Sequence, residues 1–180
     1  MAGPRAGAAA RDSAAAAATT PSDGTEEPVD RVTVLSRSAA ETVELGGRLG
    51  AAAVAGDLVC LWGDLGAGKT QLTKGMALGL GIRDTVNSPT FVLMSEYLGR
   101  LPLFHVDLYR LADASDALAG GVVDDRQADG ITVVEWPDRL RDVLPGSRLD
   151  VIIDGTGDEP RTITVHARGP RYRRLVEAAR

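Results

Sequence analysis

The chain is poor in lysine, cysteine, histidine and aromatic residues. Lys69 and Lys74 are the only lysines; every other strongly basic side chain in the 180 residues is arginine. A single cysteine, Cys60, excludes an internal disulfide. In the apolar run "LVCLW" it reads as a small buried hydrophobe, in keeping with a reducing compartment. Aromatics make up 4% of the chain, so the core has to be built from Leu, Val and Ile. No run approaches the roughly 20 apolar residues of a membrane span. The net charge is −5, which argues against a general nucleic-acid coat but does not exclude a local basic patch.

The length suits one domain with a real core. Residues 1–29 are Ala, Gly, Pro, Ser, Thr and acid, too little apolar surface to offset the entropy of ordering. Arg11 and Asp12 interrupt the alanines and no Leu-rich stretch exists, so a disordered tail is expected rather than a signal peptide. The folded domain is expected over 30–180, and the location in the cytoplasm.

"RVTVLS" (31–36) alternates and predicts a strand. Residues 38–54 predict a helix with Ser38 and Glu41 as a capping box, although glycines interrupt its apolar face. "DLVCLWG" (57–63) reads as a buried parallel strand. A helix follows from near Lys69 to about Leu80. Residues 90–109 predict two strands around the hairpin "LGRLP". A short helix is expected from "DASDALAG", a buried strand in "GITVVEW" (130–136), two late strands at 148–154 and 161–167, and a closing helix in "GPRYRRLVEAA".

One of the two lysines stands in "WGDLGAGKTQL". Gly63, Asp64, Leu65, Gly66, Ala67, Gly68, Lys69 and Thr70 fit G-x-x-x-x-G-K-[ST]. The glycines let the backbone wrap closely round a polyphosphate. Its N–H groups then form an anion nest, and the following helix adds its positive end. An ammonium is a compact point charge that a planar guanidinium does not replace. Thr70 offers its hydroxyl to Mg²⁺, which phosphates bring with them. The pattern predicts an α/β fold, a P-loop NTPase-like three-layer domain with a mixed, mostly parallel sheet.

Ligands of such sheets gather at the carboxyl ends of parallel strands. Asp107 ends "LPLFHVD" and reads as a Walker-B-type acid or as an N-cap for the next segment. Ser88-Pro89-Thr90 should lie at the same edge, where a hydroxyl could sense a terminal phosphate; Thr90 reads equally as ordinary strand chemistry. Glu135 ends "GITVVE" and would hold Mg²⁺, activate water, or cap the turn at Trp136-Pro137. His105 favours a satisfied structural histidine over a catalytic one. Trp136 divides between core packing and the nucleotide.

"GDLGAGKT", "NSPTF", "FHVDLYRL" and "VVEWPDRL", in this order and spacing, resemble the TsaE family, small ATPases of bacterial tRNA threonylcarbamoyladenosine biosynthesis. "ETVELGGRLG" also resembles that family's first helix, and the likeness spans about residues 31–170. The resemblance implies binding of ATP and Mg²⁺ with slow hydrolysis. It implies work beside the TsaB–TsaD pair, in which TsaD transfers threonylcarbamoyl to adenosine 37 of tRNA. It also implies Thr70 and Glu135 as magnesium ligands with Asp107 as the Walker-B acid, Thr90 as the switch threonine, and Thr42 and Arg161 near the nucleotide. The alanine-rich tail lies outside the family core, and "ASDALAGGVVDDRQADG" is poorer in Leu and Glu than the family pattern.

A GTPase is disfavoured because neither lysine sits in an N-K-x-D setting. A small-molecule P-loop kinase is the alternative enzyme, with Arg126 in a short lid. A nucleotide-gated assembly module with little turnover is the third reading. Arg110 is a candidate finger in cis or a surface residue. The C-terminal arginines either solvate a helix or, through Arg171, Arg173 and Arg174, meet tRNA or an acidic partner.

Overall fold

The computed structural model describes residues 30–111, 125–140 and 143–180. The expected tail (1–29) and the expected helix at 113–120 lie outside the described residues. Seven strands form one sheet: β1 (Arg31–Ser36), β2 (Asp57–Trp62), β3 (Met94–Tyr97), β4 (Leu103–Asp107), β5 (Ile131–Glu135), β6 (Arg148–Asp154) and β7 (Arg161–Arg168). Their order is β1-β7-β6-β2-β5-β4-β3. The centre, β6-β2-β5-β4, is parallel. Strands β3 and β7 run against it, and β1, antiparallel to β7, points with the centre again. Five of the seven strands therefore share one direction, as the α/β reading requires. Strands β4 and β5 are buried throughout, which suits their continuous apolar sequences.

Three helices, α1 (Ala39–Ala52), α2 (Lys69–Gly79) and α3 (Arg173–Ala179), lie on one face. Leu45, Leu49, Leu72, Met76, Leu175 and Val176 pack there against Val59, Leu61, Val133 and Val151 of the sheet. Near β4 and β5 the opposite face is covered by Leu108, Leu111, Trp136 and Leu140 over Val106 and Val134.

Helix α1 starts as its sequence predicts. The Ser38 side chain accepts from the Glu41 N–H at 3.1 Å. Glu41 returns a carboxylate to the Arg37 N–H at 2.7 Å, one residue earlier than in the usual reciprocal box. At the other end Arg100, from the β3–β4 hairpin, donates to the carbonyls of Gly50, Ala51 and Ala53 at 2.7–2.9 Å. That satisfies acceptors the helix itself leaves open.

The glycines that interrupt α1 are its contact with α2. A Cβ on Gly46 would stand 2.2 Å from the Leu72 carbonyl oxygen, and one on Gly75 would stand 2.0 Å from that of Val43. The two backbones touch, so no side chain fits between them.

The first hairpin strand begins later than 90–109 suggests. Residues 90–93 form a turn, because the Pro89 carbonyl accepts from the N–H groups of Val92 and Leu93, at 2.9 and 2.8 Å. Leu93 then takes a positive φ of 64° before β3 opens at Met94.

The closing helix is reached through one 3₁₀ turn at Pro170–Tyr172. Its arginines are engaged with the fold. Arg171 and Arg174 both donate to Asp57, a buried carboxylate that also accepts from the Val54 N–H. Arg173 pairs with Asp30, and Arg168 with Asp150.

Candidate functional site

The carboxyl ends of β2, β4 and β5 meet at one edge of the sheet, with the loop of residues 63–68 running from β2 into α2. Gly63, Gly66 and Gly68 have φ of 140°, 82° and 111°, so each takes a conformation that a side chain resists. A Cβ on Gly63 would lie 2.5 Å from the Ile153 carbonyl oxygen. One on Gly66 would meet nothing within 4 Å and would project into open space beside the loop. Gly68 caps α2 without a side chain, so the helix presents bare N–H groups to the loop, an arrangement that attracts anions.

A cavity of about 360 Å³ opens against this loop, lined by Lys69, Thr70, Ser88, Thr90, Asp107, Tyr109, Glu135 and Trp136 among others. Lys69 is 4% exposed. Its Nζ donates to the carbonyls of Gly63 and Asp64 at 2.6 and 2.9 Å and lies 3.8 Å from the centroid of the Trp136 ring. Burial pushes its pKa below the ordinary lysine value, opposed by the carboxylates of Glu135, Asp107, Asp64 and Asp138. Trp136 itself sits in the left-handed region, with φ 62° and ψ 50°, a costly conformation for an aromatic residue. This turn brings its ring to the lysine and to Tyr109, 5.0 Å away.

Two hydrogen-bonded groups complete the edge. Thr70 donates its hydroxyl to Glu135 Oε1 at 2.9 Å, and His105 Nε2 lies 2.9 Å from the same oxygen. Asp107 Oδ2 accepts from Thr90 at 2.6 Å and from Ser88, while Oδ1 accepts from the Tyr109 N–H at 2.9 Å. Asp107 thus anchors the Ser88–Thr90 segment and also caps the turn that begins at Leu108. Asp107 and Glu135 are register partners on β4 and β5.

Behind the loop a second cavity, of about 440 Å³, shares Gly66, Gly68 and Gln71 with the first. Thr42, Asp158 and Arg161 also line it. The Thr42 hydroxyl is shared with Ser36 at 2.8 Å, and its methyl faces Gly68. Arg161 donates to the Ala67 carbonyl at 3.3 Å, tying β7 to the loop.

Lys69, Thr70, Thr90, Asp107 and Glu135 therefore surround one cavity, and Thr42 and Arg161 adjoin the other. Gln71 and Tyr109 also line the first cavity, though no motif marks them; Gln71 follows from the first turn of α2, whereas Tyr109 depends on the chain's course after β4. His105 is only half satisfied, since its Nδ1 is buried without a partner among the described residues. Arg110 stacks on Phe91, 4.1 Å from the ring centroid. Arg126 pairs with Glu96 ahead of β5, away from the carboxyl edge, so it forms no lid there.

The set suits magnesium with a polyphosphate. Among the described residues no group of three or more His, Cys, Asp or Glu could hold a metal by itself. One or two carboxylates beside a hydroxyl and a phosphate cradle are what Mg²⁺ takes when phosphate oxygens and water fill its remaining positions.

Fold and loop together place the chain among the P-loop α/β proteins. The sequence profile described as "Threonylcarbamoyl adenosine biosynthesis protein TsaE" matches residues 36–163, and the chain belongs to that family. It is 48% identical over 123 residues to the Bacillus subtilis tRNA threonylcarbamoyladenosine biosynthesis protein TsaE, covering 68% of this chain and 77% of the relative. The protein of the same name from Streptomyces coelicolor is 45% identical over 136 residues, covering 72% and 92%. A crystal structure of Bacillus subtilis YdiB superposes with a TM-score of 0.69 at 38% identity, over 84% of this chain and 95% of that one. No described helix is long and apolar enough to cross a membrane.

Proposed function

We propose that the chain binds ATP with Mg²⁺ at the loop of residues 63–70 and hydrolyses it slowly. This ATP cycle would support TsaB and TsaD in forming threonylcarbamoyladenosine at position 37 of tRNA. One observation carries the reading: Lys69, Thr70, Thr90, Asp107 and Glu135, drawn from four separate segments, line a single cavity beside the glycine loop. Membership of the TsaE family supports the pathway; a cytoplasmic site of action accords with it.

The chain's own groups divide the work. Backbone N–H groups of the loop and of the first turn of α2 cradle phosphate oxygens. The Lys69 ammonium exchanges its two carbonyl acceptors for the terminal phosphates. Thr70 and Glu135 are the proposed magnesium ligands, with Asp107 in support. When bound, the metal would neutralise phosphate charge and orient the terminal group. Glu135 also stands where it can orient or deprotonate an attacking water. Thr90, held by Asp107, is placed to register the terminal phosphate, and it adjoins Phe91, which is 83% exposed.

The test is phosphate release from ATP by the purified chain, alone and with TsaB and TsaD, with GTP as the control. Slow turnover of ATP that rises with the partners, and none with GTP, is expected. Phosphorylation of a small metabolite with no free phosphate would favour a kinase instead.

A further inference from the structure

His105 has no part in the chemistry assigned above, yet it is completely buried one strand away from Glu135. It projects from the same face of β4 as Asp107 and pairs in register with Val133 of β5. Its ring has one hydrogen-bond partner, Glu135 Oε1, at 2.9 Å. Its other nitrogen, Nδ1, is buried with no hydrogen-bond partner among the described residues. A leucine or phenylalanine would fill such a space without burying an unmatched polar atom. What the imidazole adds is therefore a single bond, and that bond falls on a cavity carboxylate.

The partner of Nε2 assigns the tautomer. A carboxylate accepts but does not donate, so the shared hydrogen sits on Nε2. From this we infer that His105 is a positioning residue for Glu135. Oε1 receives two donors, Thr70 and His105, which leaves Oε2 for a metal or a water. Under the function proposed above, on which this assignment rests, Thr70 would offer its oxygen to magnesium. His105 is then the donor that keeps the Glu135 carboxylate in place. Outer partners of this kind change metal affinity or turnover by about 10- to 100-fold when removed.

Two replacements separate positioning from packing. His105→Leu removes the donor; His105→Gln keeps an N–H near the Nε2 position. The readouts are kcat and KM for ATP, ADP affinity without metal, Mn²⁺ affinity in the presence of ADP by electron paramagnetic resonance, and the melting temperature. In His105→Leu, kcat and Mn²⁺ affinity should each fall about tenfold or more, with metal-free ADP affinity within about twofold. In His105→Gln both should return to within about threefold of the parent. Equal losses in the two variants, or an unchanged Mn²⁺ affinity in His105→Leu, overturn the assignment. If the parent chain binds ADP and Mn²⁺ but does not hydrolyse ATP, the hydrolysis reading fails and the Mn²⁺ arm still decides for His105. A spectroscopic arm needs neither nucleotide nor a His105 variant. The chain has two histidines, so long-range ¹⁵N spectra resolve both rings. His105 protonated at Nε2, with a resonance that moves in Glu135→Ala, is the expected result. Protonation at Nδ1, or a resonance unmoved by Glu135→Ala, contradicts it.

Discussion

The Lys69 ammonium lies 3.8 Å above the Trp136 ring, and Trp136 adopts a left-handed backbone conformation in doing so. A cation over an indole face gains about 0.5–2 kcal/mol, more as water is excluded. Phosphate in the loop competes for the same ammonium. ATP with magnesium should therefore change tryptophan emission, and the change should vanish in Trp136→Phe, where Trp62 remains. A fluorescence titration checks this. Emission unaltered at nucleotide concentrations that saturate by calorimetry would separate Trp136 from the site.

Among the described residues the Glu135 carboxylate accepts from Thr70, at the start of α2, and from His105, not from the glycines of the loop. Its removal should act on the reaction more than on binding. Glu135→Ala is expected to lower turnover roughly 100-fold, the usual scale of a lost general base. ATP affinity should stay within about threefold of the parent. Single-turnover hydrolysis beside calorimetry separates the two effects. An unaltered rate would make Glu135 a structural cap.

Adjacent glycines of α1 should respond in opposite directions. A Cβ on Gly46 would lie 2.2 Å from the Leu72 carbonyl oxygen, whereas one on Gly47 meets its nearest atom at 3.8 Å. Gly46→Ala should cost about 2–3 kcal/mol through overpacking. Gly47→Ala should gain about 0.5–1 kcal/mol from helix propensity. Thermal melts of the pair would show this as a fall and a smaller rise, at about 2–4 °C per kcal/mol. Equal shifts would mean the helices separate freely. Because α2 begins at Lys69, the Gly46 variant should also weaken nucleotide binding.

Cys60 should be chemically silent in the native chain. Burial, reinforced by Asp150 and opposed by Arg148, pushes its thiol from an ordinary 9.0 to about 12. An aromatic disulfide reagent should react at pH 8 only when denaturant is added. The linkage sign follows from the two values. Between pH 9 and 12 the unfolded thiol has lost its proton while the folded one keeps it, so stability falls as pH rises. Cys60→Ala removes that contribution and should flatten the alkaline limb of the stability profile. Fast native labelling, or no change in that limb, would contradict the burial.

Much of the site was legible because its residues stand at the ends of patterned segments. The loop shows itself through three glycines and a lysine in an arginine-rich chain. Asp107 and Glu135 end apolar runs, and a parallel sheet delivers such ends to one edge. Other features depend on contacts between distant segments. The α1 glycines look like helix defects until α2 lies against them. The delayed start of β3 follows from Pro89 and the positive φ of Leu93. The C-terminal arginines look free in sequence, whereas Arg171 and Arg174 answer a buried Asp57, more than a hundred positions earlier in the chain. His105 showed only an apolar strand around it, and its link to Glu135 required the register of β4 on β5.

Calorimetric titration of the chain and of Lys69→Ala with ATP and magnesium tests the central claim most directly. The parent should bind one nucleotide per chain, and the variant should keep its melting profile while losing affinity by at least about tenfold, the scale of a lost charge-assisted contact. Equal binding heats in the two proteins, or no heat in the parent even beside TsaB and TsaD, would contradict a phosphate site at this loop.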